Sequence, residues 1–291
     1  MAQSMTSEAK AGLKLISPPA IYAIVLLAAP LATVLIYSVL TGSNGTVSLP
    51  FTGGNYWKVW TGKIYQAIML RSLYVSMLVT LTTVVLAYPI AYFVSFHVSP
   101  SKKSLWLFLI TIPFWTSYII RVSLWRTILG YNGIVDSTLT GLGITSEPLN
   151  ILSHGVASII TTLAHAFAPF AVLPIFVSLE KVDRSLLEAG QDLGESRWTT
   201  FLRVTLPLSM SGVIAAVLIV FIPTVGDYVT PTLVGGPGGT MIGNLVQDLF
   251  LKQNNAPLGA AVAITMMAII ALLVALFLWA IGYARIRSRR L

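Results

Sequence analysis

Residues 180–207 read EKVDRSLLEAGQDLGESRWTTFLRVTLP and form a strongly polar stretch in an otherwise apolar chain. Residues 180–204 carry five acids and four bases, out of 10 acidic and 18 basic side chains in the whole chain. The apolar residues of this stretch recur at helical spacing in two short sets, one on each side of Gly194. The stretch therefore predicts two short helices that lie outside the lipid. The two sets are Leu186, Leu187 and Ala189, and then Trp198, Phe201, Leu202 and Val204.

Residues that usually cap or turn a helix mark the ends of these two helices. Asp183 and Ser196 can accept hydrogen bonds from the free N–H groups of a helix start. Gly194 can adopt the positive φ that leads from one helix to the next. Pro207 fits the first turn of the following membrane span, where a missing N–H costs little. We therefore predict a helix-turn-helix hairpin at residues 180–207; an amphipathic loop resting on lipid headgroups is the alternative.

The composition indicates an integral membrane protein. Of the 291 residues, 56% are hydrophobic and 10% are charged, and the mean hydropathy is +0.83; a soluble domain has about 25% charged residues. The absence of cysteine excludes a disulfide scaffold and thiolate metal sites. The net charge of +8 is better explained by basic loops on one side of a membrane than by nucleic-acid binding, because no basic stripe is interleaved with aromatic residues.

Six apolar runs predict an all-α protein with six transmembrane helices in one domain, residues 1–291. The first run is too long for the apolar core of a cleavable signal peptide, so we expect it to remain as a span. Residues 41–67 are predicted to be a loop, and residues 130–152 to include a short surface helix. The predicted spans cover about 19–40, 72–96, 105–129, 155–179, 208–229 and 258–283.

The distribution of lysine and arginine predicts the orientation of these spans. Alternate loops, which include both chain ends and residues 180–207, hold 12 of the 18 basic residues. Because basic loops stay in the cytoplasm, we expect both termini and the hairpin on the cytoplasmic side.

Motifs for several kinds of chemistry are missing from the sequence. There is no G-x-x-x-x-G-K-[ST] pattern, so we expect no ATP hydrolysis by this chain alone. Neither H-E-x-x-H nor G-x-S-x-G occurs, so a zinc or serine hydrolase has no support. The sequence predicts no catalytic residue, no metal site and no cofactor bound by this chain.

Asp227 is the carboxylate that lies inside an apolar run, near the outer end of the fifth predicted span. Pro223 and Gly226 loosen the helix just before it, and a carboxylate beside a broken helix could contact a cationic substrate. It could equally be a structural partner of Arg121 or an acid at a solvated helix end.

Span three carries further polar and aromatic candidates near the outer face. We expect Arg121 to extend its side chain to the interface. Trp115, Tyr118 and Trp125 fit an interfacial aromatic belt, or a wall that contacts a polyamine through cation–π interactions. His165 in span four is expected to make an interhelical hydrogen bond.

The hairpin resembles the EAA loop of ABC-importer permeases, whose pattern is EAA-x3-G-x9-I-x-LP. In that family this loop is the coupling helix that docks on a cytoplasmic ATPase, and ATP and magnesium are bound by that partner. The small residues Ala189 and Gly190 would allow close approach of a partner backbone, and Glu188 would provide an anionic anchor. The residues at the positions of this pattern are Glu188, Ala189, Gly190, Gly194, Val204, Leu206 and Pro207, with Gly190 in place of the second alanine and Val204 in place of isoleucine.

Residues 112–144 and 221–246 are similar to segments of spermidine/putrescine importer permeases, the first of the two unlike permeases in that system. The resemblance implies a MetI-like type I importer fold in a bacterial inner membrane, working by alternating access. It also implies a second permease, an ATPase dimer and a periplasmic binding protein as partners. Relatives carry opines, aminophosphonates, iron or thiamine, which remain alternative solutes. The candidate translocation path comprises Asp227, Tyr228, Trp115, Tyr118 and Arg121.

Two other classes of membrane protein fit the sequence less well. A secondary transporter would usually show ionisable relays across several spans, whereas here Asp227 alone qualifies. A scaffold or sensor would not need a hairpin with the EAA spacing.

Overall fold

The computed structural model describes residues 7–43, 45–147, 155–236 and 238–288, and these are mostly helical. The predicted all-α architecture is confirmed, apart from one small β-hairpin. The elements are α1 (Ser7–Ser38), β1 (Leu40–Ser43), β2 (Thr46–Phe51), α2 (Gly54–Thr61), α3 (Lys63–Phe96), α4 (Pro100–Thr111), a 3₁₀ turn (Ile112–Trp115), α5 (Tyr118–Leu129), α6 (Ile134–Gly141), α7 (Val156–Leu179), α8 (Arg184–Asp192), α9 (Arg197–Thr200), a π turn (Phe201–Thr205), α10 (Leu206–Gly226), α11 (Val229–Val234), α12 (Ile242–Leu251) and α13 (Ala256–Ser288).

Five helices of the described chain are long and apolar enough to cross a membrane. They correspond to every predicted span except the third. Several apolar helices are expected in a multi-pass membrane protein, because a helix satisfies all its backbone hydrogen bonds within its own segment. The five are Lys14–Ser38, Lys63–Phe96, Val156–Leu179, Arg197–Gly226 and Ala256–Tyr283.

The prediction of one continuous helix at 105–129 is wrong. The segments Pro100–Trp115 and Tyr118–Gly141 meet at an angle of 87°, so the third span is broken. Pro113 lacks a backbone N–H, and Thr116 and Ser117 adopt extended ψ values of 147° and 138°. The extended pair cannot continue the helical hydrogen-bond ladder, and the chain changes direction there.

Two other predicted boundaries also change. The span predicted at 208–229 ends as a helix at Gly226, because Asp227 is extended with a ψ of 127°. The surface helix predicted within 130–152 is present as α6, Ile134–Gly141. Residues 148–152 of that prediction lie outside the described residues.

One compact unit contains the described residues up to Tyr65 together with Val246–Ala271. Residues 41–67 were predicted to be a loop, but they hold the antiparallel pair β1–β2 and helix α2. Gly45 has a φ of +83° at the turn, and its N–H bonds the Asn254 carbonyl at 2.9 Å. The buried Asn55 side chain donates to the carbonyls of Ser38 and Leu40 at 3.1 and 2.8 Å. These side chain–backbone bonds order a segment whose composition is typical of a loop.

A second compact unit contains Gln66–Leu245 and the described residues from Leu272 onward. Its core packs α3, α7 and α10 through small and branched residues such as Ala91, Ile175 and Ala216. A Cβ added at Gly212 would lie 2.5 Å from Ser178 Cβ, so α7 and α10 approach closely at that glycine. Lipid tails are as apolar as leucine, so helices in a membrane associate through such close packing. This packing supports the two sites described next.

Candidate functional site

The first site is the hairpin at 180–207, and its predicted caps are confirmed. Asp183 Oδ1 accepts from the Ser185 N–H at 3.0 Å at the start of α8. Ser196 Oγ accepts from the Thr199 N–H at 3.2 Å at the start of α9. Gly194 has a φ of +82° and turns the chain between the two helices. The sequence therefore specifies the hairpin through its own local bonds.

The end of the EAA pattern joins the hairpin to span five without interruption. Val204 lies in the π turn Phe201–Thr205, and Leu206 begins α10 directly after it. Pro207 sits in the first turn of α10, as predicted. Because helix Arg197–Gly226 is continuous, a displacement of the hairpin would be passed directly to span five.

Gly190 makes a close contact inside the hairpin, and its predicted contact with a partner backbone stays a prediction. A Cβ at this position would lie 3.2 Å from both Cγ2 and Oγ1 of Thr200, a buried residue of α9. The close approach therefore occurs inside the hairpin and holds α8 against α9. Ala189 remains exposed and available to another molecule.

The outer face of the hairpin combines apolar side chains with charge. Leu193 and Trp198 are 85% and 67% exposed, and Leu186 is also exposed. Leu186, Ala189 and Leu193 recur at helical spacing, so they lie along one stripe of α8 and its C-cap residue. Exposed apolar residues next to charged ones, outside the apolar spans, are typical of a docking surface.

Glu188 lies beside a cavity of about 290 Å³ between the hairpin and the end of α3. Basic groups share this cavity with the carboxylate, and aromatic rings form its apolar wall. The site can therefore receive a polar side chain from another molecule next to Glu188. The cavity is lined by Tyr92, Phe96, His97, Arg184, Glu188, Arg197 and Phe201, among others.

A polar cluster fastens the hairpin to the ends of α3 and α4. Glu180 Oε1 accepts from Lys103 Nζ and from Ser95 Oγ, each at 2.6 Å. Arg184 in turn donates to the Ser95 carbonyl at 3.2 Å. Burial raises the pKa of Glu180, but these hydrogen bonds and the charges of Lys103 and Arg184 outweigh it and hold that pKa below its usual range. Glu180 is therefore an anion at neutral pH.

The second site is the break between α10 and α11 at Asp227 and Tyr228, which follows Gly226 at the end of span five. Asp227 Oδ1 accepts from the Val229 N–H at 3.0 Å, so the carboxylate caps α11. Its Oδ2 accepts from the Tyr118 hydroxyl at 2.8 Å, and Tyr118 also bonds Thr230 Oγ1 at 2.7 Å. Tyr118 is the first residue after the break in span three, so the two helix breaks meet at this carboxylate.

Arg121 is buried, with 8% of its surface exposed, so the expectation that it extends to the interface is wrong. Its guanidinium donates to the Thr116 carbonyl at 3.1 Å and lies 5.0 Å from the centre of the Phe114 ring. None of the three ion pairs among the described residues joins it to Asp227. The helix break leaves the Thr116 carbonyl without a place in a regular helical ladder, and the Arg121 guanidinium donates a hydrogen bond to it.

The other aromatic candidates are only partly brought together. Trp115 is 76% exposed and packs edge-on against Phe108. Tyr228 is partly exposed beside Asp227 in the break. The interhelical hydrogen bond predicted for His165 is confirmed, because Trp125 Nε1 donates to His165 Nδ1 at 3.1 Å.

Several residues of these sites were not predicted. Thr230 and Asn244 bond the break, and Glu180 and Lys103 join the hairpin to α4. Their partners are distant in the chain, and no local pattern marks them. In the described parts of the chain, no three His, Cys, Asp or Glu side chains are arranged to hold a metal ion.

Comparison with known proteins relates this arrangement to one family. Residues 51–289 match the model of the binding-protein-dependent transport system inner membrane component family. The chain is 37% identical to the spermidine/putrescine transport system permease protein PotB of Haemophilus influenzae, over 84% of this chain and 85% of that protein. It is 35% identical to PotB of Escherichia coli K12 over 79% and 83% of the two chains. The inner membrane ABC transporter permease protein YdcU of the same strain is 33% identical over 72% and 69%.

The fold agrees with a solved transporter. The crystal structure of a bacterial ABC transporter involved in the import of the acidic polysaccharide alginate contains a chain that superposes with a TM-score of 0.68 at 18% identity, over 96% of this chain and 94% of that one. This similarity shows the MetI-like importer fold. With the family match and the PotB relatives, it establishes that the chain belongs to the binding-protein-dependent transport system inner membrane components, the multi-pass permease subunits of ABC importers.

Proposed function

We propose that this permease subunit imports a polyamine of the spermidine and putrescine class from a periplasmic binding protein into the cytoplasm. The observation that carries the proposal is the identity of 37% and 35% to two PotB permeases, over about four fifths of each chain or more. The Asp227 carboxylate, placed in a helix break and bonded to a phenolic hydroxyl, gives that substrate class a chemical partner.

The position of Asp227 supports a role in translocation. Helix α10 has 21 residues, and at about 1.5 Å per residue it separates Asp227 from the hairpin by roughly the thickness of the hydrocarbon core. Asp227 therefore lies at the end of span five that is opposite the hairpin, and a substrate ammonium can take the place of the Tyr118 hydroxyl there. Charge-assisted hydrogen bonds are the stronger kind, so a cationic substrate can compete with the neutral hydroxyl.

The hairpin is proposed to couple this permease to a cytoplasmic ATPase. The exposed stripe of Leu186, Ala189 and Leu193 provides apolar contact area, and Glu188 provides a charge beside it. Closure of an ATPase dimer would displace the hairpin, and the continuous helix Arg197–Gly226 would carry that displacement along span five. The basic residues in alternate loops favour the cytoplasmic side for the hairpin.

The complete importer would contain a second, unlike permease, two ATPase copies and a periplasmic binding protein. ATP and magnesium would be bound by the ATPase, since this sequence has no phosphate-binding loop of the P-loop type. The membrane chain supplies the path, and the energy comes from its partner.

A second candidate substrate is an anionic solute such as an opine or an aminophosphonate. One observation favours it: the buried Arg121 guanidinium lies in the helical turn that follows Tyr118. Its donors face the Thr116 and Ala166 carbonyls, however, whereas the Asp227 carboxylate is held by neutral donors. A cation therefore fits the site better than an anion.

Substrate class is tested by uptake into liposomes that contain the full complex. Labelled spermidine and putrescine are offered through the cognate binding protein, and uptake is measured for the wild type and for Asp227→Asn. We expect polyamine uptake that the variant largely loses. Uptake of an aminophosphonate, with polyamines excluded, would reject the cationic assignment and favour Arg121 as the substrate contact.

A further inference from the structure

We propose that Asn244 is a positioning residue for the substrate carboxylate, acting by fixing the broken backbone at Asp227 and Tyr228. This inference rests on the proposed function, since it names the group that holds the proposed substrate contact in place. Asn244 lies in the first turn of α12, 17 residues after Asp227, and nothing in its local sequence marks it as part of the same site.

The side-chain amide of Asn244 bonds the α11 side of the break. Its Nδ2 donates to the Tyr228 carbonyl at 2.8 Å and to Thr232 Oγ1 at 2.7 Å. Its Oδ1 accepts from the Met241 N–H at 3.1 Å. Both amide donors and the acceptor are therefore used, and the amide joins α12 to the start of α11.

These bonds add a donor from another helix to a carbonyl at the break. Within α11 the Tyr228 carbonyl accepts from the Thr232 N–H at 3.3 Å and from Thr232 Oγ1 at 2.6 Å. The Asn244 amide is a further donor to this carbonyl, and it comes from α12. The amide therefore stabilises the extended conformation that presents Asp227.

An independent contact places the same turn of α12 against the break. A Cβ added at Gly243 would lie 2.6 Å from the Gly226 carbonyl oxygen and 3.0 Å from that of Asp227. Backbone atoms cannot move aside as a flexible side chain does, so only glycine fits there without a shift. Gly243 and Asn244 together support the break, the first by contact and the second by hydrogen bonds.

The consequence for Asp227 follows from the shared peptide unit. The Tyr228 carbonyl that Asn244 holds lies one residue from the Asp227 side chain, whose Oδ1 and Oδ2 bond Val229 and Tyr118. That carbonyl shares its peptide unit with the Val229 N–H. Without Asn244 the unit is held by the Thr232 donors alone, and its N–H is held less firmly at Asp227 Oδ1. Loss of Asn244 should therefore act on transport through Asp227.

The test compares Asn244→Ala, Asp227→Asn and the double variant in the complete complex. We expect Asn244→Ala to lower polyamine uptake per ATP hydrolysed about tenfold, the usual effect of losing such hydrogen bonds, while binding-protein-stimulated hydrolysis persists. A positioning role predicts that Asn244→Ala adds little once Asp227 is already Asn. Multiplying effects of the two changes, or unchanged uptake in Asn244→Ala, would overturn the proposal.

A matched control and a substrate-free readout accompany this test. Asn255→Ala removes an amide that bonds the Leu258 N–H at the start of α13, and it should leave uptake unchanged. Because the chain lacks cysteine, Thr224→Cys introduces a single thiol at a fully buried position just before the break. Adding Asn244→Ala or Asn244→Ser should speed the reaction of this thiol with a small methanethiosulfonate at least severalfold. Equal labelling rates would reject the positioning role of Asn244.

The thiol assay also separates the two possible failures. If the wild-type complex imports no polyamine, the proposed function fails, yet the labelling rates still report whether Asn244 holds the break. If the wild type imports polyamine and Asn244→Ala imports it equally well, the positioning role alone fails. Should Asn244→Ala not assemble, Asn244→Ser provides the same comparison with a smaller polar side chain.

Discussion

The hairpin and the α10–α11 break are built from bonds of very different range. In the hairpin, Asp183 caps Ser185, Ser196 caps Thr199, and Gly190 contacts Thr200. At the break, Tyr118 and Asp227 are 109 residues apart. The hairpin can therefore be recognised from local sequence, whereas the proposed substrate site forms only after the spans have packed. The difference also suggests a division of labour between ATP coupling and substrate contact.

The largest expected effect on uptake comes from a substitution at the α10–α11 break. Asp227→Asn keeps the size of the side chain and removes the charge that a substrate ammonium would contact. We expect uptake to fall about 10- to 100-fold, since hydrogen bonds to charged groups contribute about 1.5–3 kcal/mol. Binding-protein-stimulated ATP hydrolysis should persist. Asp248→Asn, which breaks only the exposed i,i+4 pair with Lys252, is the control and should import normally.

Gly194 gives the corresponding prediction for the hairpin. A Cβ there meets nothing within 4 Å, so the cost of a substitution comes from its φ of +82° alone. Valine at such a φ costs about 1–3 kcal/mol, and we expect ATP hydrolysis and uptake to fall together, about fivefold or more.

Gly194→Asn is the matched control for that prediction, because asparagine tolerates positive φ. It should retain most of both activities. If Gly194→Val hydrolyses ATP and imports substrate like the wild type, the hairpin does not couple the two, and the contrast between the regions disappears.

Gly190 tests a contact inside the hairpin. Gly190→Val should push α8 away from α9 because Thr200 lies within 3.2 Å of the new Cβ position. We expect a smaller loss of ATP-coupled uptake than for Gly194→Val, since a side chain can shift more easily than a strained backbone. Adding Thr200→Ala should restore part of the loss. No restoration would mean that Gly190 acts by contact with a partner, as the sequence first suggested.

The smallest expected effect concerns Glu180 and its pH dependence. The folded-state pKa of Glu180 is lowered, so its ion pair with Lys103 stabilises the protein fully above the unfolded value of about 4.3 and less as pH falls through the lowered pKa. Thermal unfolding in detergent should show Glu180→Gln below the wild type at pH 7. The gap should narrow below about pH 4. A gap independent of pH would assign the effect to packing instead of charge.

The sequence was sufficient to predict the structure wherever a local rule applied. It predicted the caps at Asp183 and Ser196, the turn at Gly194 and five of the spans, because hydropathy and capping act within one or two helical turns. It did not predict the break at Thr116 and Ser117, since apolar residues flank it on both sides. It also misplaced Arg121, whose partner is a backbone carbonyl that only the break sets free.

Residues joined across the fold gave no signal in the sequence. Lys103 is one of the basic residues in the alternate loops, and its Nζ also bonds Glu180 Oε1 at 2.6 Å, 77 residues away. Asn244 belongs to a stretch that resembles other permeases, yet its bonds to Tyr228 and Thr232 are visible only in the structure. Long-range polar pairs of this kind depend on how helices pack, and no spacing rule encodes them.

The most direct test of the division of labour is to measure ATP hydrolysis and labelled spermidine uptake in the same proteoliposomes. The wild type, Gly194→Val and Asp227→Asn are compared in the complete complex, with and without ATP. Spermidine should accumulate in the wild type only with ATP, Asp227→Asn should hydrolyse ATP with strongly reduced uptake, and Gly194→Val should have both activities reduced together. Identical behaviour of the two variants, or a wild-type permease that binds no ATPase, would contradict the account.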